Sequence, residues 1–123
     1  MPGQVDDGLK EIMRILLARF ANDKYFASLR WAKARTTGLT EQRIDDGCFA
    51  YEDDAKGFSV AEKCALRYAD LMFLDAGQVD KADEMKMHWS EAQIMYIGAF
   101  IAFHYGMQMF MRSRDAVPLA QSL

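Results

Sequence analysis

An acid, a base and three aromatic residues stand close together between residues 23 and 31. If this stretch is helical, Asp23 and Arg30 project from the same face two turns apart, because seven residues separate them. Such a pair could line one cleft and bind a small polar substrate, or it could lie on a plain surface face without partners. The spacing leaves both interpretations open. The five residues are Asp23, Tyr25, Phe26, Arg30 and Trp31.

The rest of the sequence offers little for metal or thiol chemistry. The Glu-x-x-His pairs of a di-iron bundle are absent. Glu84 and His88 lie on a polar segment, where a solvated pair is the expected arrangement. Neither Cys48 nor Cys64 belongs to a C-x-x-C motif, and Cys64 has the position of a small buried hydrophobic residue. We therefore expect no metal site and no cofactor.

Helices must position the candidate residues. Apolar residues recur at three- and four-residue spacings through most of the chain, and no run alternates as a strand would. The first helix carries two apolar lines and is predicted to pack on two faces. Ser59 with Glu62, and Ser90 with Gln93, form capping boxes that begin two later helices. The predicted fold class is all-α, with about six helices at residues 7–20, 23–37, 41–46, 59–76, 79–87 and 90–114, and a loop at 47–58.

Composition limits the class of protein. The chain has 123 residues, 51% of them hydrophobic, which suits one domain over residues 1–123 with peripheral tails at 1–6 and 115–123. The net charge is −3, with acids and bases interspersed, so we expect no nucleic-acid partner. The N-terminus lacks a basic segment followed by an apolar core, so no secretory signal is expected and the protein is predicted to be cytoplasmic.

The segment from Ile94 to Met111 contains 18 residues without a formal charge. That length is borderline for a membrane span, but polar residues and glycines interrupt it, so we expect a helix buried in protein and no membrane partner. In so small a chain, such burial implies that other subunits help to cover the helix, and a homo-oligomer is predicted. His104 lies inside this helix, either as a satisfied core residue or as a group that contacts a substrate.

Four blocks of the sequence carry a resemblance to a known family. In order, from Lys10 to Arg114, they are KEIMRILLARFANDKYF, AKARTTGLTEQRI, FSVAEKCALRYADLM and VDKADEMKMHWSEAQIMYIGAFIAFHYGMQMFMRS. With these blocks the chain resembles the carboxymuconolactone decarboxylase and alkyl hydroperoxidase D (AhpD-like) superfamily. The resemblance implies an all-α AhpD-like bundle that assembles as a trimer or as a hexamer of two trimers.

Redox members of that superfamily carry C-x-x-C-x-x-x-H on the second helix and a glutamate on the helix before it. Aligned on the motif, Arg30 stands at the histidine position, and Phe26 and Asp23 stand at the two cysteine positions. Glu11 matches the glutamate. Because both thiols are missing, no peroxide nucleophile is present. The resemblance therefore favours the decarboxylase branch over thiol peroxidase activity.

The decarboxylase branch implies lyase-like acid–base chemistry on a small organic acid or lactone, without a cofactor. Glu11 would transfer the proton and Arg30 would bind a substrate carboxylate. The alternative is a non-catalytic ligand-binding or partner subunit with the same fold, in which Glu11 and Arg30 form an idle buried ion pair. The expected catalytic residues are Glu11, Asp23 and Tyr25, and the expected substrate-binding residues are Arg30, Phe26, Trp31 and His104.

Overall fold

The computed structural model describes residues 5–74 and 82–114, and within these ranges the chain is all-α without a strand. The predicted fold class is therefore confirmed for the described part of the chain. A short 3₁₀ helix at Asp54–Lys56 joins the fourth and fifth α-helices. The helices are α1 (Asp7–Phe20), α2 (Lys24–Ser28), α3 (Ala32–Arg35), α4 (Glu41–Phe49), α5 (Val60–Leu74), α6 (Ala82–His88) and α7 (Glu91–Ser113).

Helix α1 is the centre of the fold. Asp6 caps it by accepting a hydrogen bond from the backbone N–H of Leu9 at 3.0 Å, a common arrangement for an acid at a helix N-terminus. Every residue from Gly8 to Ala18 is buried, and the helix packs against α2, α3, α4, α5 and α7. The prediction that this helix packs on more than one face is confirmed.

The predicted second helix is wrong as a single element, because it is two short helices, α2 and α3, joined by an extended segment. Leu29 and Trp31 both have extended backbone angles. The carbonyls of Phe26 and Leu29 accept hydrogen bonds from the Arg14 side chain, and the Trp31 N–H donates to Glu11. Side chains of α1 therefore replace the backbone hydrogen bonds that would have continued the helix.

Helix α4 begins as predicted, since the Thr40 side chain accepts a hydrogen bond from the backbone N–H of Arg43. It continues through Gly47 to Phe49, so the predicted end at residue 46 and the predicted loop start are wrong. A Cβ on Gly47 would lie 2.6 Å from Cγ2 of Ile12. Glycine at this position therefore allows α4 to approach α1 closely rather than ending the helix.

Both predicted capping boxes are confirmed. Ser59 and Glu62 exchange backbone and side-chain hydrogen bonds at 2.9 and 3.1 Å before α5. Ser90 and Gln93 do the same before α7. The predicted break at Gly77, the predicted helix start at 79 and the tail at 115–123 lie outside the described residues.

Val5 belongs to the packed part of the chain. Its side chain is 3% exposed and joins the core that α1 organises. Asp6 caps α1. Residues 5 and 6 therefore belong to the fold and not to the tail predicted at residues 1–6, and residues 1–4 lie outside the described part of the chain.

Helix α7 is long and apolar enough to cross a membrane by length and composition alone. Only 17% of its most apolar 18-residue window is buried. Ile97, Ile101 and Gln108 are buried, whereas Met95 is 75% and Phe103 is 64% exposed. Within one chain α7 is therefore buried along one side only, and the expected cover by other subunits stays a prediction.

Candidate functional site

A cavity of about 440 Å³ opens between α1, α7 and the extended segment that joins α2 to α3. This volume lies in the usual range of small-molecule pockets, about 300–1,000 Å³. Its wall combines aromatic and aliphatic side chains with three charged residues and one imidazole. The lining residues are Glu11, Arg14, Phe26, Leu29, Arg30, Trp31, Phe100, His104 and Met107.

Glu11 is a buried acid, with 2% of its side chain exposed. Its Oε1 accepts a hydrogen bond from Nε of Arg14 at 2.5 Å. Its Oε2 accepts one from the backbone N–H of Trp31, also at 2.5 Å. A buried carboxylate requires such partners, because an unpaired charge in the interior is strongly unfavourable.

Arg14 lies one turn after Glu11 on α1 and holds the extended segment in place. Its Nη1 donates to the carbonyl of Phe26 at 2.8 Å, and its Nη2 donates to the carbonyl of Leu29 at 2.6 Å. Arg14 and Glu11 together therefore supply hydrogen-bond partners for backbone groups on both sides of the break between α2 and α3. This buried pair determines the shape of the cavity wall.

Arg30 also lines the cavity, but its partner is Glu41 at the start of α4. Nε and Nη2 donate to the two Glu41 oxygens at 2.8 and 3.0 Å, and Nη1 donates to the carbonyls of Ala27 and Leu29. These hydrogen bonds raise the pKa of Arg30 and lower the pKa of Glu41. The Glu11–Arg30 ion pair of the non-catalytic alternative is therefore wrong, since Glu11 pairs with Arg14.

His104 reaches the cavity from α7. Its ring lies 4.3 Å from the ring of Phe100 and 5.2 Å from that of Phe103, measured between centroids. Its Nδ1 is buried and has no hydrogen-bond partner among the described residues. Burial, reinforced by the nearby Arg14 charge, lowers the pKa of His104. The imidazole is therefore neutral near pH 7.

Asp23 and Tyr25 do not line the cavity. Asp23 is 1% exposed and caps α2 by accepting from the Phe26 N–H at 3.0 Å. Its Oδ2 accepts from Arg112 of α7 at 2.7 Å. The ring of Tyr25 stacks edge-on with that of Phe26 at 5.1 Å. Asp23 and Arg30 do not share a helix face, because α2 ends between them.

Phe26 and Trp31 form part of the cavity wall. Trp31 is 42% exposed, and Nζ of Lys10 lies 5.4 Å from its ring centroid. The same ammonium group donates to the hydroxyl of Tyr96 at 3.0 Å. Lys10 therefore ties the mouth of the cavity to α7.

Sequence reasoning missed Arg14 and the aromatic contribution of α7. The available signal was on α1, where Lys10, Glu11 and Arg14 interrupt an otherwise apolar helix. Charged residues on a helix that packs on several sides must find buried partners. Phe100 gave no such signal, because it stands among many apolar residues of α7. Which of these residues face the cavity depends on how α7 packs against α1.

The cysteines lie away from the cavity. Cys48 is 7% and Cys64 is 2% exposed. Burial raises the pKa of Cys48 to about 11 and also raises the pKa of Cys64. Among residues 5–74 and 82–114, no group of three or more His, Cys, Asp or Glu residues is arranged to hold a metal ion.

The site therefore combines a fixed carboxylate and a neutral imidazole in a sheltered, largely apolar hollow. Such an arrangement can bind a small molecule and exchange protons with it. No protein-family model, curated protein or solved structure matches the chain.

Proposed function

We propose that the chain is a carboxymuconolactone decarboxylase-like enzyme that performs cofactor-free acid–base chemistry on a small organic acid or lactone. The reaction class is decarboxylation, isomerisation or lactone conversion. One observation carries this proposal: Glu11 and His104, whose Nδ1 has no partner in the described part of the chain, line the same cavity. A carboxylate and a neutral imidazole facing one bound molecule are suited to remove a proton and return it elsewhere.

Glu11 is the proposed base. Each carboxylate oxygen offers two lone pairs, and each already accepts one hydrogen bond, so one acceptor position on each oxygen stays available. Arg14 and the Trp31 N–H fix the orientation of the group, which keeps the remaining lone pairs in place for a substrate proton. The neutral imidazole of His104 is the proposed partner that donates a hydrogen bond to the substrate.

Arg30 has a smaller role in substrate binding than the family resemblance implies. A guanidinium group carries five N–H bonds, and four of them are directed to Glu41 and to backbone carbonyls. One N–H is left for a ligand. Glu41 is exposed, with 66% of its side chain accessible, so a substrate carboxylate competes with it for Arg30 in water. Asp23 and Tyr25 have structural positions and are not part of the proposed chemistry.

The thiol peroxidase alternative is not proposed, because both cysteines are buried away from the cavity and have raised pKa values. The AhpD-like resemblance further suggests a cytoplasmic homo-oligomer, as a trimer or hexamer, with no nucleic-acid partner.

Turnover of a panel of small lactones and unsaturated carboxylic acids tests the proposal. Loss of the substrate and release of carbon dioxide can be followed by NMR for the wild-type chain and for three variants. Glu11→Gln should reduce turnover by about 10²-fold or more, because the base is lost, and His104→Gln should also reduce it. Glu62→Gln is the matched control, since glutamine also serves at the third position of a capping box.

One outcome would contradict the assignment of Glu11 as the base. If the wild-type chain converts a member of the panel and Glu11→Gln converts it at the same rate, Glu11 is not the base. Far-ultraviolet circular dichroism of each variant distinguishes lost chemistry from lost folding.

A second candidate is a non-catalytic ligand-binding or partner subunit with the same fold. It is favoured by the commitment of Glu11 and Arg14 to each other and to the backbone of residues 26–31. In that case NMR titration with small carboxylic acids should shift the resonances of Phe100 and His104 without any turnover, and Glu11→Gln should change stability alone.

A further inference from the structure

The exposed side of α7 is arranged in three parallel lines, each with a spacing of seven residues. The first is made of small residues, the second of aromatic residues, and the third has methionines at its two ends. All ten residues are exposed. The lines are Ala92–Ala99–Gly106–Ser113, Tyr96–Phe103–Phe110 and Met95–Ala102–Met109.

A seven-residue repeat of apolar side chains is the pattern of helices that pack against another helix along their length. Here the repeat lies opposite the buried residues Ile97, Ile101 and Gln108, so it lies outside the core of its own chain, although the Tyr96 hydroxyl at its edge accepts a hydrogen bond from Lys10 of α1. Phe103 and Phe110 are 64% and 62% exposed. Soluble monomers rarely leave a continuous apolar surface of this length uncovered.

We propose that this surface pairs with the same surface of a second copy, with the two α7 helices antiparallel about a twofold axis near Ala102. The spacing is self-complementary, because Met95 and Met109 each lie seven residues from Ala102. An axis at Ala102 therefore places Met95 of one copy beside Met109 of the other. The inference does not depend on the proposed function.

The line of small residues permits a close approach of the two helices. Apart from Gly106, its two neighbours and the backbone of its own helix, no heavy atom of the described residues lies within 4 Å of the position that a Cβ would take on Gly106, so the space beside it is open in the described part of the chain. Small residues let helix backbones approach, and large side chains of the partner then cover them. The aromatic line, which borders the small-residue line, supplies those large side chains.

The charges at the helix ends favour the antiparallel direction. Glu91 begins α7 and the exposed Arg114 caps its C-terminal end, with no charged residue from 92 to 111, whereas Arg112 is paired with Asp23 of its own chain. An antiparallel pair sets the acidic end of one copy near the basic end of the other and opposes the two helix dipoles. A parallel pair would place like charges together at both ends.

A membrane surface is the rival occupant. Helices that lie on a bilayer have a polar face rich in lysine and arginine that stays in water. The face of α7 opposite the three lines instead packs into the protein with Ile97 and Ile101. This arrangement is typical of a helix covered by protein on both sides.

Cysteine cross-linking of the full chain tests the pairing and its direction. Under mild oxidation, Ala102→Cys should form a cross-linked dimer, because the axis brings the two copies of residue 102 together. Met95→Cys alone should not cross-link, because its two copies are about 21 Å apart along the helices. A mixture of Met95→Cys with Met109→Cys should cross-link. The wild type, whose cysteines are buried, is the control.

Sedimentation equilibrium gives an independent measurement. The wild type should have the mass of an even number of chains, and Phe103→Lys should halve that mass. Val60→Lys is the matched control, because Val60 is 62% exposed but lies on α5, and it should leave the mass unchanged. Circular dichroism verifies that each variant is folded.

Three results would overturn the inference. A monomeric wild type would remove the twofold pair, and so would a trimer, the smaller of the two assemblies that the family resemblance suggests, because only the hexamer of two trimers contains twofold axes. Efficient cross-linking of Met95→Cys to itself would replace the antiparallel pair by a parallel one. A chain that is monomeric in solution but sediments with phospholipid vesicles, and loses this property in Phe103→Lys, would assign the surface to lipid.

Discussion

Replacing Arg14 by methionine should destabilise the fold far more than the same replacement of Arg30, although both side chains line one cavity. Arg14 pairs with Glu11 at 2.5 Å and donates to the carbonyls of Phe26 and Leu29 at 2.8 and 2.6 Å. The variant leaves the Glu11 carboxylate, 2% exposed, without its charged partner. It also removes the donor from the Phe26 carbonyl.

The expected loss of stability in each variant follows from how deeply its ion pair is buried. Removing one partner of a buried ion pair costs about 3–5 kcal/mol, and we expect Arg14→Met to lower the free energy of unfolding by that amount. Arg30 pairs with Glu41, whose side chain is 66% exposed. Such a solvent-screened pair contributes about 0–1 kcal/mol to the free energy of unfolding, and the hydrogen bonds of Arg30 to backbone carbonyls add about 1 kcal/mol. Arg30→Met should therefore lose only the sum of these two small contributions.

Urea unfolding followed by far-ultraviolet circular dichroism measures both losses, provided that the slopes of the transitions agree. Adding Glu11→Leu to Arg14→Met should recover part of the stability, because the uncompensated buried charge is then absent. If Arg30→Met is as destabilising as Arg14→Met, the Glu11–Arg14 pair is not what holds residues 26–31 in place.

Three further predictions concern other parts of the fold. Cys48 and Cys64 should react with iodoacetamide only after unfolding, because both are buried with raised pKa values; fast alkylation of the native chain would contradict this. Burial lowers the pKa of His104, so the unfolded chain takes up the proton first as the pH falls, and the free energy of unfolding should decrease below about pH 6.5. In acid titrations, His104→Gln should show a smaller decrease than the wild type, and an equal decrease would disprove the assignment. Gly47→Ala should lower the free energy of unfolding in urea by about 1–3 kcal/mol, because its Cβ would lie 2.6 Å from Ile12 Cγ2. An unchanged urea midpoint would show that α4 can move away from α1 without loss of stability.

The helices that the sequence predicted best are those with a strong period and a chemical signal at their start. Helices α5 and α7 begin beside Ser59 and Ser90, the first residues of the two predicted capping boxes, and each then carries apolar residues at helical spacing. Capping is local, because the donor and acceptor are three residues apart. The break between α2 and α3 is not local, because it depends on side chains of α1 that lie 12 to 20 residues earlier in the chain.

The residues of the candidate site were found unevenly. Glu11 was identified through the family resemblance and Arg30 first through its residue type and spacing, and both line the cavity. A direct Glu11–Arg30 ion pair, which only the non-catalytic alternative assumed, does not form, because Arg14 lies one turn from Glu11 on α1 and pairs with it instead. Asp23 has a helix-capping position that its residue type already favoured.

The order of residues alone was enough to predict an all-α domain and the unusual apolar length of α7. Periodicity, capping and charge depletion are properties of neighbouring residues, so they can be identified without the tertiary structure. Which charged groups pair, and which side of α7 remains uncovered, depended on how the helices pack around α1. Arg14 rather than Arg30 is the partner of Glu11, since a buried carboxylate takes the donors that packing brings within hydrogen-bond distance, and spacing along the chain does not specify that approach.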